Sequence, residues 1–468
     1  MNFLKAKLCL VLIAAVMTSI LQAQPLQEKL SNAIRNLQAD EQFKHAILSM
    51  YVVESKTGNA VFNYNAQVGM APASCQKVIT SAAAFEFLGK DYMYKTTINF
   101  NGEIKDKVLN GSLSVMASGD PSLGSWRWNQ TKEDAVIAQI TTALTAKGIQ
   151  KITGGLVAKT SNWDTNITPN GWIWEDIGNY YGAGAAPINW RENQYDLILK
   201  SGNVPGDKVS IVAVKPTLNG VELLNELTTG KKGSGDNAYI YLPPYSNKGF
   251  VRGSIPAGEN NFSVSGSFPD PVAQFLNAIT IGLKEKQIEL PAFNNTPAKD
   301  VKDTGNFLCS IQSPTLENMN YWFLKKSVNL YGEAFVKTIA YEKTNFGSTD
   351  TGIAIIKEFW KNRGIEKSSL NIIDGSGLSP ANRVTTNALV DVMQYALKQP
   401  WYPAFYEGLP EMNGIKMKDG YISGVRSYTG YVTSNSGTKY TFSLIVNNFD
   451  GSPSTVREKM WKLLNILK

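Results

Sequence analysis

The feature that most constrains this chain is residues 72–77, Pro-Ala-Ser-Cys-Gln-Lys, and the apolar run that follows them. Pro72 stands where a helix begins and Gly89 where one ends, so Ser74 is expected in the first turn. Residues three apart share a helical face, which places the Lys77 amine within reach of the Ser74 hydroxyl. A serine attacks a carbonyl only when a base takes its proton. The segment therefore predicts a serine nucleophile with Lys77 as its base.

A simpler interpretation is that Ser74 caps a helix and that Lys77 is a solvated residue of its first turn. A lysine base must be neutral, whereas free lysine has a pKa of about 10.4. Burial or a neighbouring cation lowers the pKa of a lysine amine. A second lysine is therefore expected at the site if Lys77 acts as a base.

The counts of titratable residues exclude several classes of site. His45 is the single histidine, so a metal site built from two or more histidines is excluded, and neither a metal nor a cofactor is expected. A Ser-His-Asp mechanism would have to use His45, which stands ahead of a predicted strand and is more simply a surface residue. The net charge of +7 is spread without basic runs, so nucleic acid is not expected as a partner.

The amino terminus has the pattern of an export signal. Two lysines precede the apolar stretch 8–16, and the small residues around Ala23 suit cleavage, so residues 1–23 are predicted as a signal peptide. That stretch is too short to span a membrane, and the mature protein is predicted to be periplasmic or extracellular. Cys75 and Cys309 then remain; two free buried thiols are expected, although a disulfide between them stays open.

The pattern of elements predicts an α+β fold whose main domain is interrupted. An amino-terminal helix and hairpin, central helices, carboxy-terminal strands and a last helix suggest one antiparallel sheet with helices on its faces. The predicted parts are 24–94 and 305–468 for this domain and 95–304 for inserted β-rich domains, one or two in number. The last amphipathic helix, 456–467, is expected to pack on the sheet, with attachment to a membrane surface as the alternative.

Two further motifs follow the first in chain order. Ser327-Val328-Asn329 lies in a region predicted as one helix, 316–341, and Lys418-Asp419-Gly420 is predicted to open a strand, with residues 420–426 extended. S-x-x-K, S-x-N and K-[T]-G in this order are the set found in penicillin-binding proteins and serine β-lactamases. The literal string Lys-Thr-Gly at 56–58 precedes the nucleophile and is explained by a hairpin turn.

Longer motifs make the resemblance specific. The chain resembles the class C low-molecular-mass penicillin-binding proteins, which are D-alanyl-D-alanine carboxypeptidases and endopeptidases with β-rich domains inserted just after the S-x-x-K helix. The motifs that carry this resemblance are Pro-Ala-Ser-x-x-Lys at 72–77, Ser-Gly-Asp-Pro-Ser-Leu at 118–123, Asp-Gly-Ser-Gly-Leu-Ser at 374–379 and Gly-Val-Arg-Ser-Tyr-Thr-Gly-Tyr-Val at 424–432.

The resemblance implies a role for each motif residue. Ser74 would be the nucleophile and Lys77 its base, with Ser327 and Asn329 forming the second wall of the site. Lys418 would be the second cation, which keeps Lys77 neutral. Gly420 and Tyr421 would lie along the substrate, and the backbone N–H groups of Ser74 and Tyr421 would form the oxyanion hole. The implied partners are peptidoglycan stem peptides, with β-lactam antibiotics as inhibitors.

Asp419 departs from the family pattern, in which a threonine or serine hydroxyl helps to hold the terminal carboxylate of the substrate. Two like charges about 4 Å apart repel by roughly 4 kcal/mol at an effective dielectric constant near 20. Four explanations stay open: Asp419 turns away, a cation neutralises it, the ligand presents an amide, or catalysis has been lost.

The leading hypothesis is a penicillin-sensitive serine enzyme that cleaves D-Ala-D-Ala or a D-Ala cross-link through an acyl-enzyme on Ser74. The alternative is a catalytically weak or inactive homologue that binds or scaffolds the cell wall. Asp419 favours the alternative, whereas a complete set of proton-transfer residues favours the enzyme. A β-lactamase is a third possibility, for which the long insertion offers no rationale.

Overall fold

The computed structural model describes residues 26–293 and 305–468. The predicted signal peptide and the predicted end of the insertion at residue 304 lie outside these residues. The chain divides into two compact units. The first contains the described residues up to Ala82 together with Trp360–Ile372 and Ala381–Lys468, and the second contains Ala83–Phe359 and Ile373–Pro380. This division does not test the predicted insertion of residues 95–304, which stays a prediction.

A six-stranded antiparallel sheet forms the centre of the first unit. The two amino-terminal strands pair as a hairpin, and the last strand of the chain pairs with the first, so both ends of the sequence meet in one sheet. In spatial order the strands are Glu411–Met412, Ile415–Ile422, Val425–Thr433, Lys439–Asn447, Ile47–Glu54 and Ala60–Tyr64.

Both faces of this sheet carry helices, as the sequence pattern predicts. The first helix, 26–38, and the last helix, Pro453–Leu464, pack on one face through an apolar cluster that includes Met50 and Leu444. The opposite face holds the helix Thr386–Ala396, where the Ser49 and Thr386 hydroxyls lie 2.7 Å apart. Because side chains alternate along each strand, the sheet can pack against helices on both of its faces.

The strand that carries the third motif differs from its prediction. Lys418 is the fourth residue of the strand Ile415–Ile422 rather than its opening residue, and the predicted strand 420–426 contains a two-residue turn at Ser423 and Gly424. Gly424 has a φ of +68°, a backbone conformation that glycine adopts without strain. The turn folds the next strand, Val425–Thr433, back along Ile415–Ile422, which we call the motif strand.

The second unit is rich in β-structure. Its described residues form four small sheets, several of which pack around one apolar core. Their strands are Lys95–Phe100, Leu113–Met116, Leu156–Lys159 and Asn306–Gln312; Glu103–Lys105, Val108–Asn110 and Lys151–Ile152; Gln194–Lys200, Ser210–Lys215 and Phe262–Ser267; and Glu222–Thr229, Asn237–Tyr241 and Lys248–Ile255.

The helix predicted over 316–341 is interrupted. It forms two helices, Leu316–Lys325 and Asn329–Thr344, and Ser327 between them has a φ of +58°. A left-handed serine cannot continue an α-helix, so the S-x-N motif lies at a break in the helical region. The other helices of the described residues are Lys77–Leu88, Glu133–Ala146, Trp174–Ile177, Pro271–Glu285, Thr349–Lys361 and Tyr402–Gly408. Of these, Glu133–Ala146, Trp174–Ile177 and Pro271–Glu285 lie within residues 95–304, which are predicted to be β-rich.

The last helix packs on the sheet, as expected. Met460 and Leu464 are fully buried, and Leu467, just beyond the helix, is 1% exposed. Its apolar face is therefore not available to a membrane surface. Among residues 26–293 and 305–468, no helix is long and apolar enough to cross a membrane.

We expect Met460→Ala to lower the free energy of unfolding by about 2–5 kcal/mol, because truncating a buried methionine leaves a cavity in the core. Urea unfolding of the mature protein measures this change. Lys462→Ala, on the exposed side of the same helix, is the control and should change stability by less than about 0.5 kcal/mol. Equal effects of the two substitutions would contradict the packing described here.

Candidate active site

The first motif forms a tight turn that leads directly into a helix. Ala73–Gln76 is a 3₁₀ turn, and the α-helix Lys77–Leu88 follows at once, so Ser74 precedes the helix instead of lying in its first turn. The Lys77 Nζ atom lies 2.8 Å from the Ser74 Oγ atom, within hydrogen-bond distance. Lys77 is fully buried, whereas Ser74 is partly exposed. The first motif therefore presents a reachable hydroxyl in contact with a buried amine.

Three side chains connect the turn that contains Ser74 to the neighbouring strands. The Ser427 hydroxyl donates a hydrogen bond of 2.6 Å to the Pro72 carbonyl, and the Cys75 thiol donates one of 3.1 Å to the Lys418 carbonyl. The Asn447 amide accepts from the Ala71 N–H at 2.8 Å and donates to the Ala71 carbonyl at 3.0 Å. These contacts fix the position of Ser74 relative to the motif strand. Sequence analysis missed these roles of Ser427 and Asn447, although Ser427 lies in a quoted motif.

Cys75 is buried and free, as expected, and Cys309 is also free but only half-buried. Burial raises the pKa of the Cys75 thiol to about 11, against the smaller opposing influence of Ser427 and Lys418. The group is therefore a neutral thiol at pH 7. Because the thiolate is the nucleophilic form of cysteine, Cys75 does not compete with Ser74.

Gly420 allows the motif strand to approach the nucleophile at the level of the backbone. A Cβ atom at this position would lie 2.3 Å from the Ser427 Oγ atom, 2.7 Å from the Pro72 carbonyl oxygen and 2.9 Å from the Ser74 nitrogen. Two of these atoms belong to the backbone and cannot move aside. The glycine of the third motif is therefore required by a close approach between the strand and the Ser74 N–H group.

Asp419 pairs with the lysine beside it. The Lys418 ammonium lies 2.9 Å from the Asp419 Oδ1 atom and donates a second hydrogen bond of 2.7 Å to the Asp419 carbonyl. Burial acts to raise the pKa of Asp419, but the charge and hydrogen bond of Lys418, with the charge of Arg426, outweigh it, so the pKa is lowered. Asp419 is therefore ionised at neutral pH, and the geometry corresponds to neutralisation by a cation.

Arg426 extends this charge cluster across the hairpin. It pairs with Tyr421 in the strand register, and its guanidinium group lies 5.3 Å from the centre of the Tyr421 ring. Its Nε atom also donates to the Tyr428 hydroxyl at 3.2 Å. Tyr421 is about half exposed, so the cluster lies beside a surface that a ligand can reach. The motif at 424–432 includes Arg426, but sequence analysis gave it no role.

Ser327 and Asn329 lie together in the second unit, at the start of the helix Asn329–Thr344. The Asn329 amide donates a hydrogen bond of 2.7 Å to the Tyr181 carbonyl, which fixes the orientation of the side chain. Ser327, with its positive φ, occupies a conformation that costs energy for a serine. Such backbone outliers are concentrated at functional sites.

The loop that carries Asp-Gly-Ser-Gly-Leu-Ser is held against this helix. Both carboxylate oxygens of the buried Glu333 accept from the Gly375 N–H, at 3.1 and 2.9 Å. Asp374, also buried, accepts from the backbone N–H groups of Gly377 and Ser379 and from the Trp172 indole at 2.9 Å. The loop therefore fixes both the S-x-N helix and the segment that precedes Tyr181.

Two alternatives considered from the sequence lie apart from these contacts. The string Lys-Thr-Gly at 56–58 forms an exposed turn of the amino-terminal hairpin, where Gly58 has a φ of +76°. His45 lies in an exposed turn ahead of the strand Ile47–Glu54. The first unit thus brings together Ser74, Lys77, Lys418, Asp419, Gly420 and Tyr421, and the second holds Ser327 and Asn329.

Known proteins are similar to this chain over nearly its whole length. The sequence model of the D-Ala-D-Ala carboxypeptidase 3 (S13) family matches residues 30–467. The chain is 26% identical to a D-alanyl-D-alanine carboxypeptidase of Actinomadura sp. (strain R39), over 90% of this chain and 81% of that protein. It is 24% identical to the D-alanyl-D-alanine carboxypeptidase DacB of Haemophilus influenzae, over 83% of each chain.

The fold is also similar to a solved structure. The crystal structure of penicillin binding protein 4 (dacB) from Haemophilus influenzae superposes with a TM-score of 0.76 and 21% sequence identity, and the match covers 95% of this chain and 97% of that one. The predicted α+β fold of the penicillin-binding-protein type is thereby confirmed.

We expect Asp419→Asn to destabilise the protein at pH 7, because it leaves the buried Lys418 charge without its partner. The loss should be about 1–2 kcal/mol, less than the 3–5 kcal/mol of a fully buried pair, because the Asp419 side chain is 35% exposed and solvent screens it. Since the folded-state pKa is lowered, the stabilisation is complete above the ordinary pKa of 3.8 and is lost as the pH falls through the folded-state value.

Urea unfolding of the wild type and the variant at several pH values measures this difference. It should shrink steadily as the pH is lowered below 3.8. Glu458→Gln removes an exposed carboxylate and should show a much smaller effect at neutral pH. A difference between wild type and Asp419→Asn that does not change with pH would contradict the ion pair.

Proposed function

The chain belongs to the D-Ala-D-Ala carboxypeptidase 3 (S13) family, and on that premise we propose that its reaction proceeds through an acyl-enzyme on Ser74. The substrates are peptidoglycan stem peptides ending in D-Ala-D-Ala, or D-Ala cross-links between them. The observation that carries this proposal is the 2.8 Å contact between the Ser74 hydroxyl and the buried Lys77 amine. Family membership agrees with the resemblance that the sequence motifs indicate.

Lys77 is suited to take the proton of Ser74. An ammonium group loses its hydration when it is buried, so the full burial of Lys77 favours the neutral amine. Two effects can keep the Lys77 amine neutral: its burial and the nearby charge of Lys418. Because Asp419 partly compensates the charge of Lys418, burial contributes more than the sequence motifs alone suggest. The Ser74 oxygen attacks the carbonyl carbon of the penultimate D-Ala as its proton moves to the Lys77 Nζ atom.

The negative charge that develops on the substrate oxygen needs donors at a fixed position. We assign this role to the backbone N–H groups of Ser74 and Tyr421. The close approach at Gly420 supports the assignment, since it brings the motif strand against the Ser74 nitrogen. Each such donor contributes typically about 3–4 kcal/mol to stabilisation of the transition state. A side chain at position 420 would separate the two donors.

Ser327 and Asn329 would complete the reaction. The Ser327 hydroxyl is assigned to relay the proton from Lys77 to the leaving amine, so that the peptide C–N bond breaks as an amine departs. Asn329, whose orientation the Tyr181 carbonyl fixes, would hold the amide of the substrate backbone. Water then attacks the acyl-enzyme ester and restores the Ser74 hydroxyl.

Within the assigned site, the Lys418–Asp419 pair is the feature that departs from the family pattern. Lys418 would attract a substrate carboxylate, but its charge is already shared with Asp419. The arrangement therefore favours ligands whose group at this position is neutral, such as an amidated leaving residue. It also supports a reduced, rather than absent, activity on free D-Ala-D-Ala termini.

We also propose that residues 1–23 export the protein, since its substrate lies outside the cytoplasmic membrane. The mature chain would then act in the periplasm or outside the cell. β-Lactams are the expected inhibitors, because their strained carbonyl meets the same nucleophile and donors as the peptide.

We expect a fluorescent penicillin to form one covalent adduct with the mature protein, located on Ser74. Intact-mass analysis followed by peptide mapping identifies the modified residue. Ser74→Ala should give no adduct while keeping the unfolding midpoint of the wild type, since Ser74 is only partly buried. An adduct in that variant would disprove the assignment of the nucleophile, and no adduct in the wild type would favour the wall-binding alternative.

We expect Asp419→Thr to raise kcat/KM on a peptide with a free D-Ala-D-Ala carboxylate, because Lys418 is released and a hydroxyl replaces a like charge. The gain should be roughly tenfold after screening, and at most about a thousandfold if the full ~4 kcal/mol of repulsion applies. The same peptide with a carboxy-terminal amide should respond little. Steady-state kinetics on the two peptides measures both effects.

Asp419→Asn separates the two contributions, since it removes the charge without adding a hydroxyl. A gain in Asp419→Asn close to that in Asp419→Thr assigns the effect to charge. If the free and the amidated peptide respond equally to Asp419→Thr, then Asp419 does not act on the substrate carboxylate.

A further inference from the structure

An exposed sheet face in the second unit has an unusual composition. In the sheet of Glu222–Thr229, Lys248–Ile255 and Asn237–Tyr241, side chains alternate between a buried and an outward face. Leu224 is 60% and Tyr239 is 37% exposed on the outward face. The strand register places Phe250 between Leu224 and Tyr241. An apolar row therefore crosses the outward face of this sheet.

Aromatic rings continue the row beyond the sheet. The rings of Tyr241 and Phe250 stack with centres 4.8 Å apart, and the Trp174 ring lies 5.8 Å from that of Tyr241. Trp174 is 46% exposed, although it is the largest apolar side chain in the row. We call Leu224, Phe250, Tyr241, Trp174 and Tyr239 the aromatic face. Exposed apolar surface of this kind marks binding sites in soluble proteins.

The charges on the sheet strands of the aromatic face are paired. Arg252 forms an ion pair with Glu226, and its guanidinium group lies 4.3 Å from the centre of the Phe250 ring. Lys248 lies 3.9 Å from Glu222 across the same two strands. Two cations and two anions therefore cancel on the sheet, and the carboxyl groups of Glu175 and Asp176 follow Trp174 in the chain. A neutral ligand with hydrogen-bonding groups suits this surface better than a polyanion or an anionic membrane.

The aromatic face is continuous with the segment that orients Asn329. Trp174 begins a short helix, Trp174–Ile177, and the chain then reaches Tyr181, whose carbonyl accepts from the Asn329 amide. The Asn179 side chain accepts from the Ile240 N–H at 3.1 Å, which joins this segment to the sheet. Tyr180, beside Tyr181, is 52% exposed. The aromatic face is thus joined, through Trp174, to the segment that orients Asn329.

We propose that the aromatic face binds the polysaccharide of N-acetylated hexosamines to which the stem peptides are attached. This inference rests on the proposed function, because the peptide held beside Asn329 carries that sugar chain. The C–H faces of pyranose rings pack against aromatic rings, and hydroxyl and acetamide groups hydrogen-bond to the polar rim. The polymer is largely uncharged along its backbone, which matches the paired charges of the face.

Two measurements test this inference. The first is equilibrium binding of an oligosaccharide of N-acetylglucosamine, which carries no charge and no peptide. Trp174→Ala and Phe250→Ala should each weaken binding at least about fivefold, the effect of losing one stacking ring on a polymer ligand. Trp174→Phe, which keeps a ring, should retain most of the affinity. Phe307→Ala removes a 57% exposed ring on the strand Asn306–Gln312 and should leave binding unchanged.

The second measurement is kcat/KM on a pentapeptide, free or attached to a glycan strand. Trp174→Ala and Phe250→Ala should lower the value for the glycan-linked substrate and leave that for the free peptide and the rate of penicillin acylation unchanged. Equal losses on both substrates would mean that these residues act through Asn329, and the inference would be wrong. Wild-type protein that acylates but does not bind glycan also overturns it.

Two further outcomes identify a different occupant and overturn the inference. One is binding to anionic vesicles that Trp174→Ala abolishes, and the other is self-association that Trp174→Ala abolishes, each without binding to glycan. Failure of the proposed function is distinct from these results, since it shows as the absence of a penicillin adduct on wild-type protein.

Discussion

The close contact between two stretches of backbone determines the structure of the nucleophile site. The motif strand approaches the Pro72–Ser74 turn so closely that residue 420 has no room for a side chain. Ser427 and Cys75 hold the two stretches together by hydrogen bonds to backbone carbonyls. These buried bonds satisfy polar groups that would otherwise cost energy. The position of the Ser74 N–H group, and of the hydroxyl beside Lys77, follows from this contact.

The Lys418–Asp419 pair changes the electrostatics of the site without changing its shape. In the pattern of the related enzymes, a hydroxyl at this position leaves the lysine charge available to a substrate. Here the carboxylate of Asp419 accepts from Lys418 at 2.9 Å, and Arg426 adds a second positive charge nearby. Asp419 thus interacts with both cations. The pair leaves less of the Lys418 charge for other groups, while Ser74 and Lys77 stay in contact.

The second unit positions its own part of the motif set. Asn329 is oriented by the Tyr181 carbonyl, and the segment before Tyr181 is fixed through Trp172 to Asp374. Asp374 and Glu333 in turn hold the loop that carries the Asp-Gly-Ser-Gly-Leu-Ser motif. A direct hydrogen bond therefore connects the β-rich region to Asn329. Trp174, one residue of the aromatic face that we propose as a glycan site, lies on the same segment.

The sequence by itself determined the Ser74–Lys77 contact, the order of the motifs, the fold class and the hairpins with alternating patterns. Local rules suffice for these features: residues three apart meet on a helical turn, and the strands Ala60–Tyr64 and Lys439–Asn447 follow from alternation and turn residues. The break at Ser327 and the turn at Ser423 and Gly424 were not predicted, although polar residues interrupt the apolar pattern at both points. The tertiary structure alone decided the roles of Gly420, Ser427 and Asn447, and the partner of Asp419. Gly420, Ser427 and Asn447 contact residues that are far away in the sequence, and Asp419 contacts the side chain of its immediate neighbour. The periodicity of apolar residues carries no information about such contacts.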